Sequence, residues 1–314
     1  MKYRLLTNCA LSLCFLLTIT PLHAQGINNS VHFNENRVLT TEDGWQLQAT
    51  YYNTRYEDPG VGSRVPVVLL LPGDRGNRLH WEGQTGFATK LQEQGFAVIT
   101  LDPRKYGESK PPEGLRNVTK DLKPNDYASI LKYDLEAVKE FLFEEHQQRN
   151  LNMAKMAIVA PESLAPVALG FTVRDWKKIP YKDGPSLATR TPRGQDVKAV
   201  AVISPKVNLP GISGKSAVLH CQPVFEVAIC TMAGENDSDG KRESDLIYTY
   251  LTGSKKPEGE STMFYNQIYS KFGDRGTELV SRNAVLTKDL MVFLDRHVKQ
   301  LNIPWQDRRS KFER

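Results

Sequence analysis

The chain has 314 residues, 40% of them hydrophobic and 25% charged, an ordinary globular composition with enough apolar mass for one large α/β domain. Its formal net charge of +5 is too mild to argue for nucleic acid as a partner.

In chain order, Lys2 and Arg4 precede a mostly apolar run from Leu5 to Ile19, then Pro21 and Leu22-His23-Ala24. A basic start, a short apolar stretch and a small residue at the exit predict a cleaved secretory signal over residues 1–24. The run is too short, and too interrupted by Thr7, Asn8 and Ser12, for a stable membrane span. Removing the signal takes Lys2 and Arg4 away and leaves a net charge of +3. The expected location is secreted or periplasmic. Cys9 and Cys14 go with the signal, leaving Cys221 and Cys230. A strand between them would hold them too far apart to bond, so two buried thiols are expected. No Cys/His pair has zinc-ligand spacing, and neither a metal nor a cofactor is implied.

A polar extension, 25–36, leads into Arg37 to Thr41 and Trp45 to Tyr52, whose alternation predicts an antiparallel hairpin turning at Asp43-Gly44. Val65 to Leu71 and Phe96 to Leu101 read as strands buried on both faces, with a helix over Trp81 to Gln94 between them. Asn125 is expected to cap a long helix carrying Tyr127, Leu131, Leu135, Val138 and Leu142 at helical spacing. Met156 to Ala160 returns as a strand, followed by a helix to Trp176. Three more strands are expected at Val197 to Ile203, Val224 to Cys230 and Met263 to Tyr269. A final helix carries Leu286, Leu290, Phe293, Leu294 and Leu301 on one side, and 303–314 is a polar tail. Alternation of strands and helices implies a mostly parallel sheet covered on both faces, over residues 37–302.

Leu71-Pro72-Gly73-Asp74-Arg75-Gly76 resembles the glycine-containing loop after the third strand of α/β hydrolases, and Asp102-Pro103-Arg104-Lys105-Tyr106-Gly107-Glu108-Ser109 resembles their Asp-x-Arg-Gly-His-Gly-x-Ser segment. The resemblance implies an α/β-hydrolase fold in which backbone N–H groups at Gly73 and Asp74 help bind an oxyanion. It also implies a nucleophile on a tight strand-to-helix turn, Gly-x-Ser-x-Gly; here that place reads Ala160-Pro161-Glu162-Ser163-Leu164-Ala165. Two registers fit: Ser163 at the elbow between Pro161 and Ala165, or Glu162 between Ala160 and Leu164. The apolar strand runs up to Ala160, which favours Glu162. A plain structural reading, in which either residue caps the following helix, stands beside both.

Carried over in the same way, Asp237 in Ala233-Gly234-Glu235-Asn236-Asp237 takes the place of the family's acid, and Arg275 takes the place of its histidine. Arginine stays protonated and cannot serve as a general base. The expectation is therefore a degenerate triad in a divergent, secreted hydrolase-like protein that binds or supports rather than hydrolyses. The alternative is an active ester or amide hydrolase using Ser163 or Glu162 with an atypical base such as His80. Residues 177–196 read first as a solvated loop; the other reading makes them a basic cap over a pocket holding Arg75, Arg104 and Arg275, a cluster favouring a small anionic ligand. A protein partner is not defined by the sequence.

N-terminal sequencing of the exported protein should begin at Gln25; retention of Lys2 and Arg4 would remove the signal reading.

Overall fold

The computed structural model describes residues 30–115, 118–221, 225–253 and 263–314. The signal read at 1–24, with Cys9 and Cys14, lies outside the described residues.

One eight-stranded sheet organises the chain. β1 (Ser30–Thr40) and β2 (Gln46–Tyr56) form the antiparallel hairpin, and β2 pairs antiparallel with β4 (Ala97–Asp102). The rest is parallel: β3 (Val67–Leu70), β5 (Met156–Pro161), β6 (Val197–Ile203), β9 (Ala228–Gly234) and β10 (Phe264–Tyr269), in the order β1-β2-β4-β3-β5-β6-β9-β10. A small antiparallel pair, β7 (Asn208–Leu209) and β8 (Ile212–Ser213), follows β6.

Successive side chains on the central strands feed opposite cores. Val67 and Leu69 join Met156, Ile158 and Ala160 on one face, whereas Val68 and Leu70 join Ala157 and Val159 on the other. The first face is covered by α4 (Leu135–Gln147), α5 (Leu164–Trp176) and α6 (Gly214–Cys221). The second is covered by α2 (Phe87–Glu93), α8 (Gly276–Arg282) and α9 (Ala284–Leu294). A four-residue helix, α1 (Pro59–Gly62), and a short helix, α3 (Pro124–Ser129), complete the first half, and α7 (Ser238–Thr252) follows β9.

Several expectations are corrected. Of the extension at 25–36, residues 30–36 belong to the sheet: β1 begins at Ser30 and pairs with β2 along its whole length, and 25–29 lie outside the described residues. The helix expected at Trp81 to Gln94 is a 3-10 turn, Arg78–Trp81, followed by the shorter α2. Asn125 lies inside α3, and Lys123 is the capping position, with Asp126 reaching back to its backbone N–H. The last helix ends in a π turn, Asp295–Lys299, before Leu301. Cys221 and Cys230 are both buried free thiols, Cys221 on a helix rather than in a strand.

The segment 177–196 enters β6 at its N-terminal end, opposite the end where β5 delivers Glu162, so it does not cap the site. It is fastened instead by the C-terminal tail. Arg308 is buried against Asp196 and the Gly194 carbonyl, Lys311 N donates to Asp183, and Trp305 stacks on His146. Lys139 completes the cluster by binding Asp175 and Asp196, both fully buried. Two buried carboxylates are thus balanced by one lysine and one arginine.

Removing one partner from such a group leaves an uncompensated charge in the interior, so Arg308→Ala should lower stability by about 3–5 kcal/mol. Urea unfolding checks this; an unchanged midpoint and slope would show that the tail is dispensable.

Candidate functional site

In a parallel sheet the strand carboxyl ends open onto a common edge where loops converge. Here that edge gathers Asp74 after β3, Glu162 after β5, Lys206 after β6, Asp237 after β9 and Arg275 after β10. Most of these residues line one cleft of about 680 Å³, with Arg75 and His80 in its wall.

Glu162 takes the elbow. It sits between β5 and α5 with φ of 49°, a left-handed conformation that costs a side-chain-bearing residue about 1–2 kcal/mol. Glu162 N donates to Ile203 O, and Glu162 O accepts from Lys206 N. Ser163 has ordinary helical angles and is 1% exposed. Of the two registers left open by the sequence, the one with Glu162 is therefore the one adopted.

The Glu162 carboxylate lies in a narrow slot. Its Oε2 accepts from Asp74 N at 2.8 Å, and its Oε1 is 3.5 Å from Arg275 Nε. A Cβ added at Gly73 would come within 2.7 Å of Oε2, and one at Gly276, where φ is 52°, within 2.9 Å. Both glycines leave room for the carboxylate where it stands. Burial raises the Glu162 carboxyl above its ordinary value, against the opposing pull of the Asp74 N–H and Arg275.

The neighbouring acid is bound the other way round. Asp74 Oδ1 accepts from Ser163 N at 2.9 Å, and its Oδ2 accepts from Lys206 Nζ at 2.7 Å. Burial pushes the Asp74 carboxyl up, but the bonds from Lys206 and Ser163 outweigh it and hold the group low. Lys206 Nζ also lies 2.7 Å from Ser163 Oγ. On the far side, Arg275 Nη1 is 3.1 Å from Asp237 Oδ1, and Asp237 also caps α7 through Gly240 N. Arg275 thereby spans Asp237 and Glu162, the two ends of what would be a triad.

The structure brings Gly73, Asp74, Glu162, Ser163, Asp237 and Arg275 to one end of the sheet. His80 lines the same cleft, with Nδ1 3.4 Å from Thr277 Oγ1. Arg104 does not share it: its guanidinium is buried between Asp43 and Asp134, which removes it from the expected arginine cluster. Other residues of its motif are structural too, Asp102 binding Arg78 through both the backbone N–H and Nη1. Lys206 was not singled out by the sequence; the available signal was its place just past the strand beside the elbow strand. Tyr106, whose buried hydroxyl has no hydrogen-bond partner among the described residues, was likewise visible only as part of a motif.

No family model matches the chain. A stretch of 56 residues is 41% identical to a serine hydrolase, BPHL, of Mus musculus, and spans 17% of this chain and 18% of that protein. Among solved structures, a dienelactone hydrolase from Anabaena variabilis aligns with a TM-score of 0.58 at 14% identity, over 85% of this chain and 99% of that one. An esterase of Pyrococcus furiosus aligns with a TM-score of 0.56 at 13% identity, over 85% and 92%. These likenesses establish that the chain has the α/β-hydrolase fold.

A carboxyl raised by folding makes the folded state bind its proton more tightly, so stability falls as pH rises through the window above the ordinary glutamate value. Glu162→Gln removes that loss. The stability of wild type relative to Glu162→Gln should therefore decline as pH rises above the ordinary glutamate value of about 4, as followed by thermal unfolding; a rise there would contradict the assignment.

Proposed function

We propose that this hydrolase-like protein works without Ser-His-Asp catalysis and uses the cleft around Glu162 as a binding site. The observation that carries the reading is the state of two amides. By resemblance, N–H groups in the loop after β3 and on the residue following the elbow would bind an oxyanion. Asp74 N donates to Glu162 and Ser163 N donates to Asp74, so a substrate oxygen approaching either would meet a carboxylate already in place. Arg275 adds a second obstacle, because it supplies a fixed positive charge where the relay needs a group that takes and returns a proton. A small anionic ligand would be met by Arg75 and Arg275, with Arg104 withdrawn. The reading includes export by the leader at 1–24, to a secreted or periplasmic location.

A second reading, hydrolysis of an ester or amide, is favoured by a specific contact. Lys206 Nζ stands 2.7 Å from Ser163 Oγ, the geometry of a lysine that accepts a serine proton. The names of the structural neighbours, an esterase and a dienelactone hydrolase, also weigh toward this reading. Against it, Ser163 is almost fully buried, and Lys206 Nζ is already engaged by the Asp74 carboxylate at 2.7 Å.

The test is turnover of short- and medium-chain aryl esters by the mature chain, beside Glu162→Gln, Ser163→Ala, Lys206→Ala and His80→Ala. The binding reading expects no rate above a heat-treated control. Turnover that falls by about 10²–10⁴ in both Ser163→Ala and Lys206→Ala, but not in Glu162→Gln, would replace it with the serine–lysine reading.

A further inference from the structure

β1 is an edge strand of eleven residues, and among the described residues no strand pairs with its outer side. Long edges of this kind are usually blunted by proline, lysine or a bulge. β1 has no proline or lysine, its register with β2 is uninterrupted, and Val31 and Val38 are more than half exposed.

Its outward-facing backbone groups can be assigned. Phe33 stands opposite Asn53, and Gln92 Nε2 reaches the carbonyl oxygens of both, at 2.7 Å and 2.5 Å. Two facing carbonyls lie that close only in a pair that exchanges hydrogen bonds; in the alternate pairs they point away from each other. The odd-numbered residues of β1 therefore bond to β2. The even-numbered residues, His32, Asn34, Asn36, Val38 and Thr40, direct their N–H and C=O groups outward.

We infer that this edge pairs antiparallel with the same edge of a second copy of the chain, about a two-fold axis at Asn36. The side chains select that register. With Asn36 opposite Asn36, Glu35 faces Arg37 of the other copy and Phe33 faces Leu39, so on that face acid meets base and apolar meets apolar, while on the other face Val38 meets Asn34. Moving the register by one pair step places Glu35 opposite Glu35 or Arg37 opposite Arg37, and like charges directly opposite are destabilising. A symmetric dimer needs such a self-complementary patch. The two sheets would continue into one across the axis, with Asn34, Asn36 and Val38 supplying the central ladder bonds.

The test is the mass of the purified mature chain in solution by sedimentation velocity, with folding of each variant followed by circular dichroism. Wild type should sediment as a dimer at micromolar concentration. Asn36→Pro removes an outward N–H while keeping the backbone ladder to β2, losing there only the bond that Thr50 Oγ1 donates to the Asn36 side chain, and should give a monomer. Arg37→Glu should also give a monomer, and Glu35→Arg with Arg37→Glu should restore the dimer, because the reversed charges again face their opposites. A monomeric wild type would overturn the inference. So would a dimer that survives Asn36→Pro and Arg37→Glu, or a folded charge-reversed double variant that stays monomeric.

Discussion

The site depends on one strained residue. Glu162 is held in the left-handed region where β5 turns into α5, and everything nearby is arranged around the carboxylate that this turn projects. The strain is local, but the bonds that over-determine it come from elsewhere: β6 fixes the backbone through Ile203 and Lys206, and the loop after β3 fixes the side chain through Asp74. Gly73 and Gly276 leave the slot open from two sides. A sharp turn that in hydrolases exposes a hydroxyl here presents a carboxylate that is tied down at both oxygens.

Placing Glu162 and Asp74 close together would be costly if either were left alone, since both are withdrawn from water and repel each other. The arrangement avoids this by giving each acid a different kind of partner. Asp74 has a lysine and a backbone N–H and is held firmly ionised; Glu162 has one backbone N–H and a more distant arginine, and its proton affinity rises. The neighbouring acids thus differ in how readily they take a proton, and Glu162, in the wall of the cleft, is the softer of the two.

Much of this was legible in the sequence. Continuous apolar runs located β3, β4, β5 and β6 within a residue or two, because strands buried on both faces need such runs. The loop motifs then fixed the order of elements around the site. What escaped follows from physical causes. Most of β1, residues 30–36, was read as an extension because exposed polar side chains alternate there with partly buried ones, and only its pairing with β2 makes it a strand. The tail looked polar because it is polar, yet Arg308 is buried: its charge is matched by Asp196, more than a hundred positions away. Lys206 belonged to no motif, and only the adjacency of β5 and β6 brings its ammonium to Ser163 and Asp74.

On the proposed reading, Glu162 at the elbow and Arg275 in the loop after β10 belong together. A histidine bridging Glu162 and Asp237 could hold both only while protonated, and on losing its proton would leave two carboxylates facing a neutral ring. Arginine keeps its charge and has donors enough to reach both acids at once, as Nε and Nη1 do here. Conversely, Arg275 beside a serine would face one carboxylate instead of two. The fixed charge at 275 and the fixed acid at 162 therefore support each other, and a return to a serine and a histidine would require both positions to change at once. Asp74 sets a third condition, because its carboxylate would still hold the Ser163 amide after both exchanges.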